Sequence, residues 1–472
     1  MTRPRLYMTT AFIRSTRAYS TLSSGSSYMK CIVAGGAIST LGLWWLLTRT
    51  TTYDDVPHLS SPPTSHWSVE PGPSPKQVTQ ILSQGAYTVP VKNVPGVRRY
   101  DGAQSESNSP CEDQGSETAQ VLKTHLVPFV RDRLCQTPQR SSLKAVQGAI
   151  IKGFMNLDYS IINDAVNIVR SENPFPTKVK KLVPAYSGSC ALLSLYDPAT
   201  ATLHVACTGN SRAVLAQKCP DGNGWEVTPL SVDQMCSNGT EIARLYAEHP
   251  GEDWAIKDGK VLEMPLSRAF GDGSWKWPLS FQIEVQRRFN GWPPLAPIEV
   301  YQTPPYLTAE PVVTSTLIDP GRPSFLIMAT AALWSFMSNQ QAVDLVARWL
   351  EGGAEKSKPN YGAFDFGGQM RNIENWDFAE GRTTVQDDNV AVHLMRNCLG
   401  GNHHEMVAGR LAFGSPSCER IRDDMTVQVV FFNGPDEKYP ERMKRKDPES
   451  RSESDLHAIL YTVLRNVIGH PG

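Results

Sequence analysis

Residues 190–215, CALLSLYDPATATLHVACTGNSRAVL, decide the fold. Three apolar runs, 190–196, 202–207 and 212–215, are split by short polar turns. Runs of this length, punctuated by Pro, Gly and Asn, predict strands, and their close spacing reads as a β-meander. Working outward, the period changes. Upstream, 117–134 sets Leu122, Leu126, Phe129, Val130 and Leu134 on one helical face. Residues 144–170 repeat the pattern with Ile150, Ile151, Phe154, Leu157, Ile161, Ile162, Ala165 and Ile168, and 76–83 predict a shorter helix. Downstream, 325–330 is a compact apolar run and 425–432 alternates as a late strand. Long helices beside antiparallel strands predict an α+β layered domain. No repeat and no second boundary breaks 76–433, which reads as one domain.

Composition excludes whole classes. The chain has 472 residues, 40% hydrophobic and 20% charged, enough apolar surface for a large core. Disorder throughout, collagen and a polytopic membrane protein are ruled out. The net charge is −1, from 46 basic and 47 acidic residues, so no chain-wide basic field exists to hold nucleic acid. The basic run in 434–472 (EKYPERMKRK) is interleaved with acids and reads as a solvated tail. Nine cysteines without a CxxC pair imply neither a disulfide scaffold nor a zinc ribbon.

The charge is unevenly placed. Six basic residues and no acid precede Asp54, leaving 40 basic against 47 acidic residues in the remainder. Residues 1–28 carry Arg, Ser and Thr without acids, the composition of a mitochondrial transit peptide. Within 29–48, the uncharged stretch 31–48 (CIVAGGAISTLGLWWLLT) lies between Lys30 and Arg49. At 1.5 Å per residue it is just long enough to cross a hydrocarbon core, so it reads as a single inner-membrane anchor. An extension of the leader that never spans is the competing reading. Residues 49–75 are Pro- and Ser-rich, a linker holding the body off the membrane.

Carboxylates at strand ends are the first chemical candidates. Glu112 and Asp113 follow a turn, and Asp423 and Asp424 precede the last strand. Oxygen ligands gathered from distant strand ends suit Mg²⁺ or Mn²⁺. Other constellations fail. His403-His404-Glu405 is not a zinc-binding helix motif and reads as a solvated loop. Cys111 has no visible base, and no Walker loop, GxGxxG or GxSxG occurs. Residues 353–385 are Gly-rich and aperiodic, a surface loop.

Four blocks in order carry more information than any single motif: 100–113 (YDGAQSESNSPCED), 208–215 (TGNSRAVL), 266–272 (LSRAFGD) and 422–432 (RDDMTVQVVFF). Over 76–433 the chain resembles the metal-dependent protein serine/threonine phosphatases of the PPM type, or 2C class. SNSPxED, the insert 275–306 and GGNHHE resemble the mitochondrial pyruvate dehydrogenase phosphatase branch. The resemblance implies two antiparallel sheets packed face to face and flanked by helices. It also implies two Mg²⁺ or Mn²⁺ ions, bridged by an aspartate, presenting hydroxide to a phosphoserine or phosphothreonine.

Carried over block by block, the site is incomplete. Glu112, Asp113 and Asp423 match retained metal-linked positions, and Arg212 and Asp272 are in place. The family's next block, a strand ending in Asp-Gly-His-Gly-Gly that bears the bridging aspartate, has no room: only Gln114, Gly115 and Ser116 separate Asp113 from Glu117. One core strand is therefore expected to be lacking, leaving the sheet closed up or locally open. The family's acid in GDSRA is Asn210, the aspartate of its Ser-Asp-Gly-Leu-Trp-Asp is Ala331, and a further acid is Ser335. The expectation is a mitochondrial pseudophosphatase, with weak or absent Mg²⁺ or Mn²⁺ binding, that engages a phosphoprotein or a phosphatase partner. Two alternatives stay open. One is an active phosphatase whose missing block is an exon omitted from the predicted transcript. The other is a membrane-anchored scaffold working through residues 31–48 and its tail.

Overall fold

The computed structural model describes residues 7–16, 73–92, 94–107, 116–138, 142–289, 301–352, 378–413 and 421–433. The stretches expected to form the anchor (29–48), nearly all of the linker (49–75), most of the loop (353–385) and the tail (434–472) lie outside them. Among the described residues no helix is long and apolar enough to cross a membrane.

In chain order the strands are β1 (Tyr7–Thr16), β2 (Tyr87–Pro90), β3 (Val97–Ser105), β4 (Gly188–Asp197), β5 (Thr202–Thr208), β6 (Arg212–Lys218), β7 (Trp225–Pro229), β8 (Ile256–Lys257), β9 (Lys260–Val261), β10 (Phe270–Gly271), β11 (Val312–Leu317), β12 (Ser324–Ala329) and β13 (Met425–Phe432). The helices are α1 (Pro75–Leu82), α2 (Glu117–Cys135), α3 (Leu143–Arg170), α4 (Phe175–Tyr186), α5 (Gly239–Glu248), α6 (Leu279–Phe289), α7 (Ala331–Trp334), α8 (Asn339–Leu350), α9 (Val390–Leu399) and α10 (His404–Ala412). One sheet has the order β1-β4-β5-β11, with β10 also on β4; the other runs β2-β3-β13-β12-β6-β7. Every pairing in both is antiparallel.

The two sheets face each other. Leu192, Tyr196, Leu203 and Val205 from one meet Ala213, Leu215, Leu326, Met328 and Val430 from the other in a shared core. The alternate residues of the same strands face helices. Ala191, Leu193 and Leu195 pack with Leu122, Leu126, Phe154 and Leu157 of α2 and α3. Phe325, Ile327, Val427 and Val429 pack with Val343, Val346 and Leu394 of α8 and α9. Period-2 alternation on strands buried on both faces yields this helix–sheet–sheet–helix layering. Buried Asp101 on β3 fixes α9 to its sheet, pairing with Arg99 at 2.5 Å and accepting from Val390 N at 3.1 Å.

Three expectations change. The runs 190–196, 202–207 and 212–215 are strands but not a meander: β4 and β5 pair, whereas β6 belongs to the opposite sheet between β12 and β7. The turn at Gly209 crosses between the sheets, and a wholly buried strand looks alike in sequence whichever sheet it joins. The paired histidines are no solvated loop. The His403 side chain accepts from Met406 N at the start of α10, and His404 Nε2 lies 2.8 Å from Pro73 O. Finally, the sheet position beside β4 is neither closed up nor open. It is filled by β1, residues that read as part of an import leader.

The segment around 266–272 is braced by buried ion pairs. Arg268 donates to Glu241 from Nε (2.9 Å) and Nη2 (2.8 Å), and Ser267 Oγ adds a bond of 2.7 Å. Lys276 Nζ contacts Asp158 at 2.7 Å, and the same carboxylate accepts from Gly271 N at 2.9 Å. Burial alone would raise the Glu241 carboxyl; the Arg268 and Ser267 hydrogen bonds and the Arg268 and Arg244 charges outweigh it and pull it down to about 2. Glu241→Gln leaves Arg268 uncompensated, at an expected cost of ~3 kcal/mol, seen as a lower thermal midpoint at pH 7. Because the folded carboxyl titrates below its unfolded value, its contribution is complete above the ordinary 4.5 and is lost as pH falls towards 2. The gap between wild-type and variant melts should narrow over that window. Equal midpoints at pH 7 would refute the bracing.

Candidate functional site

The rim of the six-stranded sheet gathers most of the residues the sequence singles out. Register places them. Ser105 at the end of β3 pairs with Met425 at the start of β13, and Ala329 at the end of β12 pairs with Arg212 at the start of β6. Asp423 enters β13 at this rim, Ala331 opens α7 directly after β12, and Asn210 lies in the turn leading into β6. Backbone and side chain lock β12 to β13 here: Thr330 N donates to Thr426 O at 3.1 Å, and Thr426 N donates to Thr330 Oγ1 at 3.0 Å.

The two adjacent aspartates divide their work. Asp424 is 1% exposed and accepts from Ser107 N at 2.5 Å, tying β13 to the end of β3. Asp423 is half-buried at the rim, and its Oδ1 accepts from Asp424 N at 2.8 Å. Glu112 and Asp113, and the gap to Glu117 apart from Ser116, lie outside the described residues.

The Gly209 turn is held by a residue the sequence reading overlooked. Gln234 accepts from Gly209 N at 2.6 Å and donates to Cys207 O at 3.0 Å. Gly209 has φ +105, and a Cβ there would run into the Cys190 side chain, so glycine is required. The turn sets Asn210 with its Oδ1 3.6 Å from Cys190 Sγ. Burial pushes the neighbouring Cys207 thiol strongly up, with the Cys190 and Asp233 charges adding to it, which disfavours the thiolate.

Arg212 is fully engaged. Its Nε and Nη2 hold Asp233 at 3.0 and 2.6 Å, its Nη1 donates to Asn339 at 2.9 Å, and its guanidinium lies 5.2 Å from the Trp334 ring. Asp233 and Asn339 carried no motif, and only their position opposite Arg212 reveals them. Trp334 Nε1 donates to Ala329 O at 3.1 Å, so the frame around Ala331 is rigid. Ser335 Oγ donates to Ala332 O at 2.8 Å, inside the same turn of chain. Asp272, 3% exposed, takes a left-handed conformation with φ 47 at the end of the braced 266–272 segment.

The donor set can be tested for a divalent-ion centre. A hard cation takes about six oxygen ligands. Ala331 offers no side-chain oxygen, and Asn210 offers a neutral amide. Among the described residues no group of three or more His, Cys, Asp or Glu side chains could hold a metal ion. Of the metal-linked positions, the described rim thus offers the Asp423 carboxylate beside the neutral amide of Asn210 and the methyl group of Ala331.

Comparison with known proteins agrees with the blocks. The protein phosphatase 2C family matches residues 112–364. A protein phosphatase 2C homolog of Schizosaccharomyces pombe is 37% identical over 393 residues, covering 75% of this chain and 85% of its own length. The mitochondrial pyruvate dehydrogenase (acetyl-transferring) phosphatase 1 of Saccharomyces cerevisiae is 32% identical over 403 residues, covering 71% and 69%. That of Rattus norvegicus is 34% identical over 303 residues, covering 61% of this chain and 55% of its own length. A match over more than half of the residues, on a paired-sheet sandwich carrying the four blocks in order, makes this chain a member of the protein phosphatase 2C family.

Proposed function

We propose that this chain is a mitochondrial pseudophosphatase, which binds a phosphoprotein or a phosphatase partner at the rim without turnover. The observation that carries the reading is Ala331: it opens α7 just past β12, whose Ala329 pairs with Val427 of β13, with the backbone frame kept and the ligand gone. Asn210 on the neighbouring turn reinforces it. Family members depend on Mg²⁺ or Mn²⁺, and a lone Asp423, even with Glu112 and Asp113, supplies too few charges to bridge two ions. If the two-ion clamp contributes ~4 kcal/mol of barrier reduction, its loss lowers the rate roughly a thousandfold. The similarity to mitochondrial pyruvate dehydrogenase phosphatases supports both the mitochondrial address and a phosphoprotein partner.

A second reading, an active phosphatase, draws on that same similarity and on retained Asp423. One assay separates the two. The full chain, incubated with Mn²⁺ and a phosphoserine peptide, is expected to bind the peptide but release no phosphate above background. Asp423→Asn should change the residual rate by less than about twofold, because a carboxylate outside a working centre stabilises no transition state. Robust Mn²⁺-dependent release, falling a hundredfold or more in Asp423→Asn, would establish the active reading instead.

The leader 1–28 and the stretch 31–48 complete the proposal as an inner-membrane attachment, with 49–75 as the spacer. Membrane attachment is read by carbonate extraction of mitochondria, where the chain should stay in the pellet. Complete release into the supernatant would remove the anchor from the account.

A further inference from the structure

We propose that Tyr7–Thr16 is an internal donor strand that takes the place of the core strand missing between Asp113 and Glu117, so that keeping the leader and completing the sheet are the same event. The first ground is the nature of β4. It is buried along nearly its whole length, with Leu192 and Tyr196 in the inter-sheet core and Ala191, Leu193 and Leu195 against the helices. A strand covered on both faces is built for the middle of a sheet. Left as an edge, it would bury or expose a row of unpaired N–H and C=O groups.

The second ground is the register. One edge of β4 pairs with β5 over 191–197. Its other edge pairs with β1 from Tyr7 opposite Tyr196 to Thr16 opposite Gly188, with a single irregularity between Met8 and Thr10. Along 191–196, β4 therefore has partners on both sides only because β1 is present.

The third ground is where β1 stops. Its last residue faces Gly188, and α2 begins at that point. Ser116 Oγ donates to Gly188 O at 3.3 Å, Thr118 N donates to Ser187 Oγ at 3.3 Å, and Thr118 Oγ1 donates to Ser187 O at 2.6 Å. A strand running straight into α2 would lie along β4 in the direction that β1 takes. The chain has three residues there, too few for a strand, and the slot holds a segment from the far N-terminus instead.

The consequence concerns maturation. Tyr7–Thr16 falls wholly within the leader 1–28, so removal of that leader by cleavage anywhere after Thr16 detaches the strand and opens the outer edge of β4. The proposal does not depend on whether the rim turns over substrate.

Arg14 lies opposite Cys190 in this register, and Ile13 lies opposite Ala191. Cys190 is a reduced cysteine, outside any disulfide. Directly opposed residues of an antiparallel pair are close enough for a disulfide. In the full chain, Arg14→Cys is expected to cross-link to Cys190 under mild oxidation, read by mass spectrometry of the linked peptides. Ile13→Cys should cross-link at least about tenfold less. Amide exchange is the second readout: residues 192–196 should exchange at least about a hundredfold faster in a chain starting at Ser20 than in the full chain, and a peptide of residues 7–16 should restore protection. Failure of the folded Arg14→Cys variant to link to Cys190, or equal linking by both variants, overturns the proposal. So does unchanged exchange on truncation.

Discussion

The ladder joining β6, β12 and β13 governs what reaches the rim. Its registers set Ala329 beside Arg212 and Val427, and the reciprocal bonds between Thr330 and Thr426 extend the lock past the last ladder pair. Ala331, Arg212 and Asp423 come to one rim through this backbone geometry. Such a frame can survive the loss of its chemistry. Replacing an aspartate by alanine at the head of α7 removes two oxygens and leaves Trp334 bonded to Ala329 O, Arg212 stacked on Trp334, and the inter-sheet core untouched. The sandwich of a protein phosphatase 2C is thus held by its ladders and its inter-sheet core, not by side chains at the rim.

Much of this was legible in the sequence, and the reasons differ by element. Helices α2 and α3 announced themselves through their 3.6-residue stripe, and β13 through alternation bounded by a charged turn. The sheet to which β6 belongs was not legible, because Ala213, Val214, Leu215 and Ala216 are all buried and a wholly apolar run does not reveal its partner. His403 was misread for another reason. Its capping role needs α10 to begin at His404, which an adjacent Gly-Gly obscures. At the rim, Asp423 was visible as a carboxylate at a strand end, whereas Asn210 and Ala331 were found only through their place in family blocks. Gln234, Asp233 and Asn339 had no such address. They act through single hydrogen bonds to turn and guanidinium atoms, contacts that no spacing rule encodes.

The β4 edge shows how a local deletion becomes a global requirement. Nothing in 190–196 states that the strand lacks a sequential neighbour; the shortage is visible only in the three residues between Asp113 and Glu117. Backbone hydrogen bonding is obligatory in a buried sheet, so the shortage has to be met from elsewhere. β1 meets it with residues that would otherwise be read purely as an address.

Everything proposed for the rim requires that the frame persist without its pair of ions. Calorimetric titration of Mn²⁺ into the full chain counts bound ions directly. The expected result is no stoichiometric pair, only weak binding that does not saturate in the micromolar range. Two ions per chain, bound tightly and coupled to each other, would contradict it.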